Sequence, residues 1–217
     1  MKKKNIIINV SLIVLCILFT IIVKYVDVSN IGPNNSSVGL SSINNFFHKL
    51  IGVNMGVYKF SEICGYIPLL MVAGYGVVGI IQLIKRKSIF KVDKEIIALG
   101  VFYVAVLCIY VFFEKVIINY RPTLLDGVLE ASYPSSHTIL ALCVCGSTIL
   151  INNFRFKRIK AAQYENIIAY IFLVLVLFSR LISGVHWFSD ILGGVFISSA
   201  LLYSFYNALC ILKEKQS

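Results

Sequence analysis

Six apolar runs of 14 to 22 residues divide this 217-residue chain, at 6–23, 66–84, 96–113, 138–151, 167–185 and 191–212. A backbone in hydrocarbon has no water to bond to. Runs of about 20 apolar residues therefore become helices that satisfy their own amides across the bilayer. Composition agrees, with 59% hydrophobic and only 14% charged residues, against about 45–50% and about 25% in soluble domains. The chain is predicted to be all-α, one integral membrane domain over 1–217, built as a polytopic bundle of six transmembrane helices. The net charge of +10 does not indicate nucleic acid, because the basic residues stand in short clusters between apolar runs. Six scattered cysteines with no CxxC or Cys/His ligand spacing predict neither a disulfide framework nor a zinc site.

The opening Met-Lys-Lys-Lys-Asn resembles a signal peptide. The apolar region of a signal peptide, however, spans about 7–15 residues and ends in a small-residue cleavage site, so a retained first span is expected. The only long polar stretch, 24–65, is read as an outer loop with short interfacial helices near Phe46-Phe47, Leu50-Ile51 and Val57-Tyr58. Gly74, Gly76 and Gly79 in the second span have spacings that let helices approach closely. The fourth span is short by length alone. Orientation follows the lysine and arginine bias. The N-terminus, the loops after spans two and four, and the C-terminal tail carry fourteen basic residues against six on the other side. Both termini are therefore expected in the cytoplasm, in a multi-pass protein of the cell membrane.

With this topology the reactive groups converge. Lys115 and Arg121 follow span three, Ser135, Ser136 and His137 open span four, and Arg180, His186 and Asp190 join spans five and six. All lie on the extracytoplasmic face. If the chain is helical from His186 onward, His186 and Asp190 stand at i and i+4, within contact range. The carboxylate then fixes the imidazole tautomer and leaves the other ring nitrogen free to attack. A helix end carrying interfacial charges gives the same pattern with His186 a satisfied polar residue. Ionisable groups at membrane depth mark functional sites by default. A transporter would hold them near the midplane, and a channel would repeat them in rings. Three cations, two imidazoles and one carboxylate suit phosphoryl transfer without a metal or cofactor. Arginines neutralise phosphate oxygens, the start of span four presents a helix dipole, and the two histidines share nucleophile and acid–base duties.

These motifs resemble the type 2 phosphatidic acid phosphatase family of integral membrane lipid phosphatases. That family carries Lys, six residues, Arg-Pro; then Pro-Ser-Gly-His; then Ser-Arg, five residues, His, three residues, Asp. Ser179, Arg180, His186 and Asp190 match the third block in full. Pro134, Ser135, Ser136 and His137 match the second with serine for glycine, and Lys115 and Arg121 stand one residue too close for the first. The resemblance implies His186 as nucleophile, Asp190 as its orienting acid and His137 as general acid. It gives phosphate binding to Lys115, Arg121, Ser135, Ser136 and Arg180, and leaves Lys115 open to a simple snorkelling role. It implies a lipid phosphate as substrate, cleaved at the outer leaflet through a phosphohistidine. Undecaprenyl pyrophosphate is the first expectation, with phosphatidylglycerol phosphate and phosphatidic acid as rivals. A transporter or an inactive lipid-binding relative is the alternative outside this chemistry.

Overall fold

The computed structural model describes residues 3–156 and 158–214, so Lys2, Lys157 and Lys215 of the orientation count lie outside the described residues. The described chain forms seven α-helices: α1 (Lys3–Tyr25), α2 (Ser41–Ile51), α3 (Met55–Arg86), α4 (Lys94–Lys115), α5 (Ser136–Arg155), α6 (Lys160–Ser183) and α7 (Phe188–Glu214). Six of them, all but α2, are long and apolar enough to cross a membrane. α5 is the hub, packed against α3, α4, α6 and α7, while α1 lies along α7. One apolar cluster joins Leu99, Phe102, Cys143, Ile151, Phe205 and Leu209, and a second joins Cys64, Ala141, Cys145, Ala169 and Val176.

The fourth span is longer than its apolar run. Enclosed by neighbouring helices, α5 extends through Ser136, His137 and Asn152 to Arg155, and buries Thr138, Ser147, Thr148 and Asn152. The 24–65 stretch also departs from the sequence expectation. α2 is the short helix expected there, its first turn held by Asp27, which accepts Ser41 Oγ at 2.9 Å and the Ser42 amide at 2.7 Å. Residues from Met55 onward, however, already belong to the second span. Asn54 caps it by accepting the Val57 amide at 3.0 Å, a strong helix start. At 32 residues the helix is about 48 Å long and exceeds the hydrocarbon core of about 30 Å. Hydropathy reads only the apolar part of such a helix.

The glycines that permit close approach are not those expected. A Cβ on Gly74 or Gly76 meets nothing within 4 Å, and one on Gly79 meets only Ile96 at 3.3 Å. Around the start of α5 the tight positions are Gly65 against the His137 ring, Gly193 against Tyr133, and Gly194 against Thr138. These bring α3 and α7 against the start of α5. At the end of α6, Gly184 takes φ +66° and a Cβ there would stand 1.8 Å from the carbonyl oxygen of Gly52. The Asn54 amide donates to the Ser183 carbonyl at 2.9 Å beside it. Left-handed backbone and a backbone neighbour leave no room for a side chain.

Gly184→Ala should therefore destabilise the protein by more than about 1 kcal/mol. Its melting temperature in detergent should fall, while Gly74→Ala should match or exceed the wild type. Equal melting of the two variants would contradict this close contact.

Candidate active site

Two irregular segments position His186, the candidate nucleophile. Residues 119–132 form a narrow hairpin, with bridges between Tyr120 and Ala131 and between Leu125 and Val128. It carries Arg121, Glu130 and Ser132. The Trp187 indole donates to the Tyr120 carbonyl at 2.7 Å and ties this hairpin to the turn between α6 and α7. His186 sits in that turn, two residues ahead of α7. The expected i, i+4 helical pair is accordingly not formed. His186 Nδ1 and Asp190 Oδ2 stand 3.8 Å apart, beyond hydrogen-bond reach, because Gly184 breaks the helix and α7 restarts only at Phe188. Ser132 Oγ fills the gap, 3.1 Å from Nδ1 and hydrogen-bonded to Asp190 Oδ2.

Arg121 Nη1 lies 3.2 Å from His186 Nε2. A guanidinium only donates, so Nε2 must accept and carries no proton. The proton belongs on Nδ1, and the lone pair on Nε2 accepts from Arg121 beside the cavity. Burial first, then the nearness of Arg121, Arg180 and His137, holds the His186 imidazole well below its ordinary pKa. That favours the neutral ring, the form a nucleophilic role requires. Asp190, with no exposure, also accepts the Trp187 amide at 2.9 Å, and its carbonyl accepts the Ser135 amide at 3.0 Å. This joins the start of α7 to the start of α5.

The second half of the site is built around Arg180, which is fully buried in the last turn of α6. It donates to Glu62 of α3 through Nη2, and its guanidinium stands 5.4 Å from the Tyr58 ring centroid. Its Nε and Nη1 have no protein partner, and buried donors of this kind are suited to an anion. His137, in the first turn of α5, places Nε2 3.3 Å from the same Glu62 oxygen. One carboxylate thus bridges an arginine and an imidazole, where a phosphate group would compete for both.

A cavity of about 630 Å³ connects these groups, lined among others by Glu62, Glu114, Arg121, Ser132, Ser136, His137 and His186. It continues between α3 and α4 along Leu69, Val72, Val104 and Leu107. The polar end meets the first turn of α5, whose free amides and dipole favour an anion. Of the sequence-predicted residues, Arg121, Ser136, His137 and His186 line this cavity, with Asp190 and Arg180 directly behind through Ser132 and Glu62. Two stand apart. Ser135 is fully buried, with its Oγ accepting from Thr138 at 3.0 Å. Lys115 is exposed at the end of α4, and Glu114 faces the cavity instead. The short Lys115-to-Arg121 spacing has this consequence, since one residue turns a helical side chain by about 100°.

Sequence reasoning missed Glu62, Ser132, Glu114 and Glu130, whose Oε2 lies 3.0 Å from Arg121 Nε. Ser132 stands two residues before Pro134, and Glu62 is a lone acid after a strong Asn cap. Those were the available signals. No cluster of three His, Cys, Asp or Glu among the described residues has metal-ligand geometry.

Glu62→Gln should remove a charge that competes with phosphate for Arg180 and His137. Vanadate and inorganic phosphate should then bind several-fold more tightly, and weaker binding would mean that Glu62 holds the cradle in shape. A 15N titration of His186 should give a midpoint below about 6.5, the ordinary imidazole value. The unfolded ring takes a proton at a pH where the folded ring does not, so stability should decline as pH falls through that window.

The sequence profile of the PAP2 superfamily matches residues 96–210. A search of curated proteins found no match. Among solved structures, the chain is similar to a transmembrane PAP2-type phosphatidylglycerolphosphate phosphatase from Bacillus subtilis. The two are 19% identical with a TM-score of 0.62, over 96% of this chain and 97% of that one. The family match spans more than half of the chain and contains every residue of the three motifs, Lys115 to Asp190: the protein belongs to the PAP2 superfamily and is a membrane phosphatase of the type 2 phosphatidic acid phosphatase family.

Proposed function

We propose that the protein hydrolyses a lipid phosphate at the outer leaflet, with His186 as nucleophile and His137 as general acid. The observation that carries this reading is the unprotonated Nε2 of His186 facing, with His137, a single cavity that continues into an apolar groove. A soluble phosphate ester has no use for such a groove, whereas lipid chains do. The outward side follows from the basic bias of the opposite loops.

In the first step the Nε2 lone pair forms a bond to phosphorus as the bond to the lipid oxygen breaks. That oxygen takes its proton from His137. Arg121, Arg180 and the first-turn amides of α5 hold the three equatorial oxygens. In the second step a water loses a proton to His137 and attacks phosphorus. The N–P bond breaks, and inorganic phosphate leaves with His186 restored.

For the lipid itself, phosphatidylglycerol phosphate is favoured over the first expectation of undecaprenyl pyrophosphate. The support is the solved relative of that activity, which is similar along nearly the whole chain. The lipid carrier remains compatible with the same chemistry and an outward site.

Purified protein should release phosphate from phosphatidylglycerol phosphate faster than from undecaprenyl pyrophosphate or phosphatidic acid. Release should survive EDTA and be inhibited by vanadate, a mimic of the five-coordinate transition state. His186→Ala should abolish turnover. His137→Ala should slow poor leaving groups most, and equal losses for aryl and alkyl phosphates would remove it from the acid role. Strict dependence on Mg²⁺ would contradict the mechanism.

A further inference from the structure

We infer that Ser132 is a positioning residue that couples Asp190 to the nucleophilic imidazole, an inference that rests on the reaction proposed for this site. Its hydroxyl occupies the space between Nδ1 of His186, 3.1 Å away, and Oδ2 of Asp190. The direct ring-to-carboxylate separation is 3.8 Å. Donor logic sets one consistent arrangement. Arg121 donates to Nε2, so Nδ1–H donates to Ser132 Oγ, and the Ser132 hydroxyl donates to Asp190. The two hydrogen bonds run in series with the same polarity, and each strengthens the other in a low-dielectric setting.

The consequence for catalysis is electrostatic and orientational. When Nε2 bonds to phosphorus, positive charge spreads over the ring, and the hydroxyl transmits the carboxylate's stabilisation to Nδ1–H. The ring keeps its proton throughout, so neither Ser132 nor Asp190 changes protonation state. A second effect is tautomer selection, because only the Nδ1–H form satisfies Ser132 and Arg121 together.

The serine is held for this purpose. It is 2% exposed, and its amide donates to the Asn119 carbonyl at 2.9 Å. Asn119 is itself 1% exposed, with Oδ1 accepting the Gly39 amide at 3.0 Å. The α1–α2 connection and the hairpin thereby fix the hydroxyl from behind. A serine present only to fill space would need no such alignment with both partners.

The test compares wild type with Ser132→Ala, Asp190→Asn and the double variant in detergent, each first checked for wild-type-like melting. Ser132→Ala should lower kcat roughly 10- to 100-fold, by analogy with the hydrogen-bond partners that orient metal-bound imidazoles, with KM little changed. In the Asp190→Asn background the same substitution should cost less than about threefold, because the coupled path is already broken. 15N spectra of the wild type should give the neutral Nδ1–H tautomer for His186, and Ser132→Ala should mix the two tautomers. Unchanged kcat in Ser132→Ala, a full loss repeated in the double variant, or an Nε2–H tautomer in the wild type would each overturn the inference. Should the wild type release no phosphate from any lipid, the reaction reading fails, while the tautomer spectra still decide the role of Ser132.

Discussion

A carboxylate with no access to solvent, Asp190, holds the active end of this bundle together. Its side chain takes a backbone amide from the α6–α7 turn and a hydroxyl from the 119–132 hairpin, and its own carbonyl takes the Ser135 amide ahead of α5. A buried charge without partners is heavily penalised. The three segments that supply partners are therefore bound to one another through it. Arg180 plays the matching part on the other side of the cavity, where Glu62 and Tyr58 from α3 surround a guanidinium with no exposure. The long helices provide the frame, and these two buried charges fix which ends of that frame meet.

The lateral architecture follows from the same frame. α5 is enclosed and carries the general-acid candidate in its first turn, so its polar opening residues stay helical beside the cavity. Gly65, Gly193 and Gly194 let neighbouring helices close on that turn. The gap left between α3 and α4 runs from the charged end into apolar surroundings, a shape suited to a lipid whose head and tails demand opposite environments.

Much of this was legible in the residues alone. Apolar runs gave the six spans, and Arg121, His137, Arg180, His186 and Asp190 stood out because cations, imidazoles and a carboxylate are rare beside such runs. The rest was hidden for physical reasons. Glu62 belongs to the part of α3 that is mixed in polarity, which hydropathy assigns to a loop, although Asn54 announces a helix start there. Ser132 looks like an ordinary loop serine until the hairpin folds it against His186. Ser135 fits its motif but a local Thr138 contact turns it away, and Lys115, one residue short of the motif spacing, is rotated off the cavity. Pattern reading identifies chemistry by residue type. It does not assign the rotation of a helix end or the path of a hairpin.

The central claim is that two imidazoles from separate segments address one phosphorus atom. A structure of the protein with bound vanadate tests it most directly. The account predicts vanadium bonded to Nε2 of His186, equatorial oxygens on Arg121 and Arg180, Glu62 displaced, and an apical oxygen hydrogen-bonded to His137. Vanadium on Nδ1, or an anion bound without contact to both histidines, would contradict it.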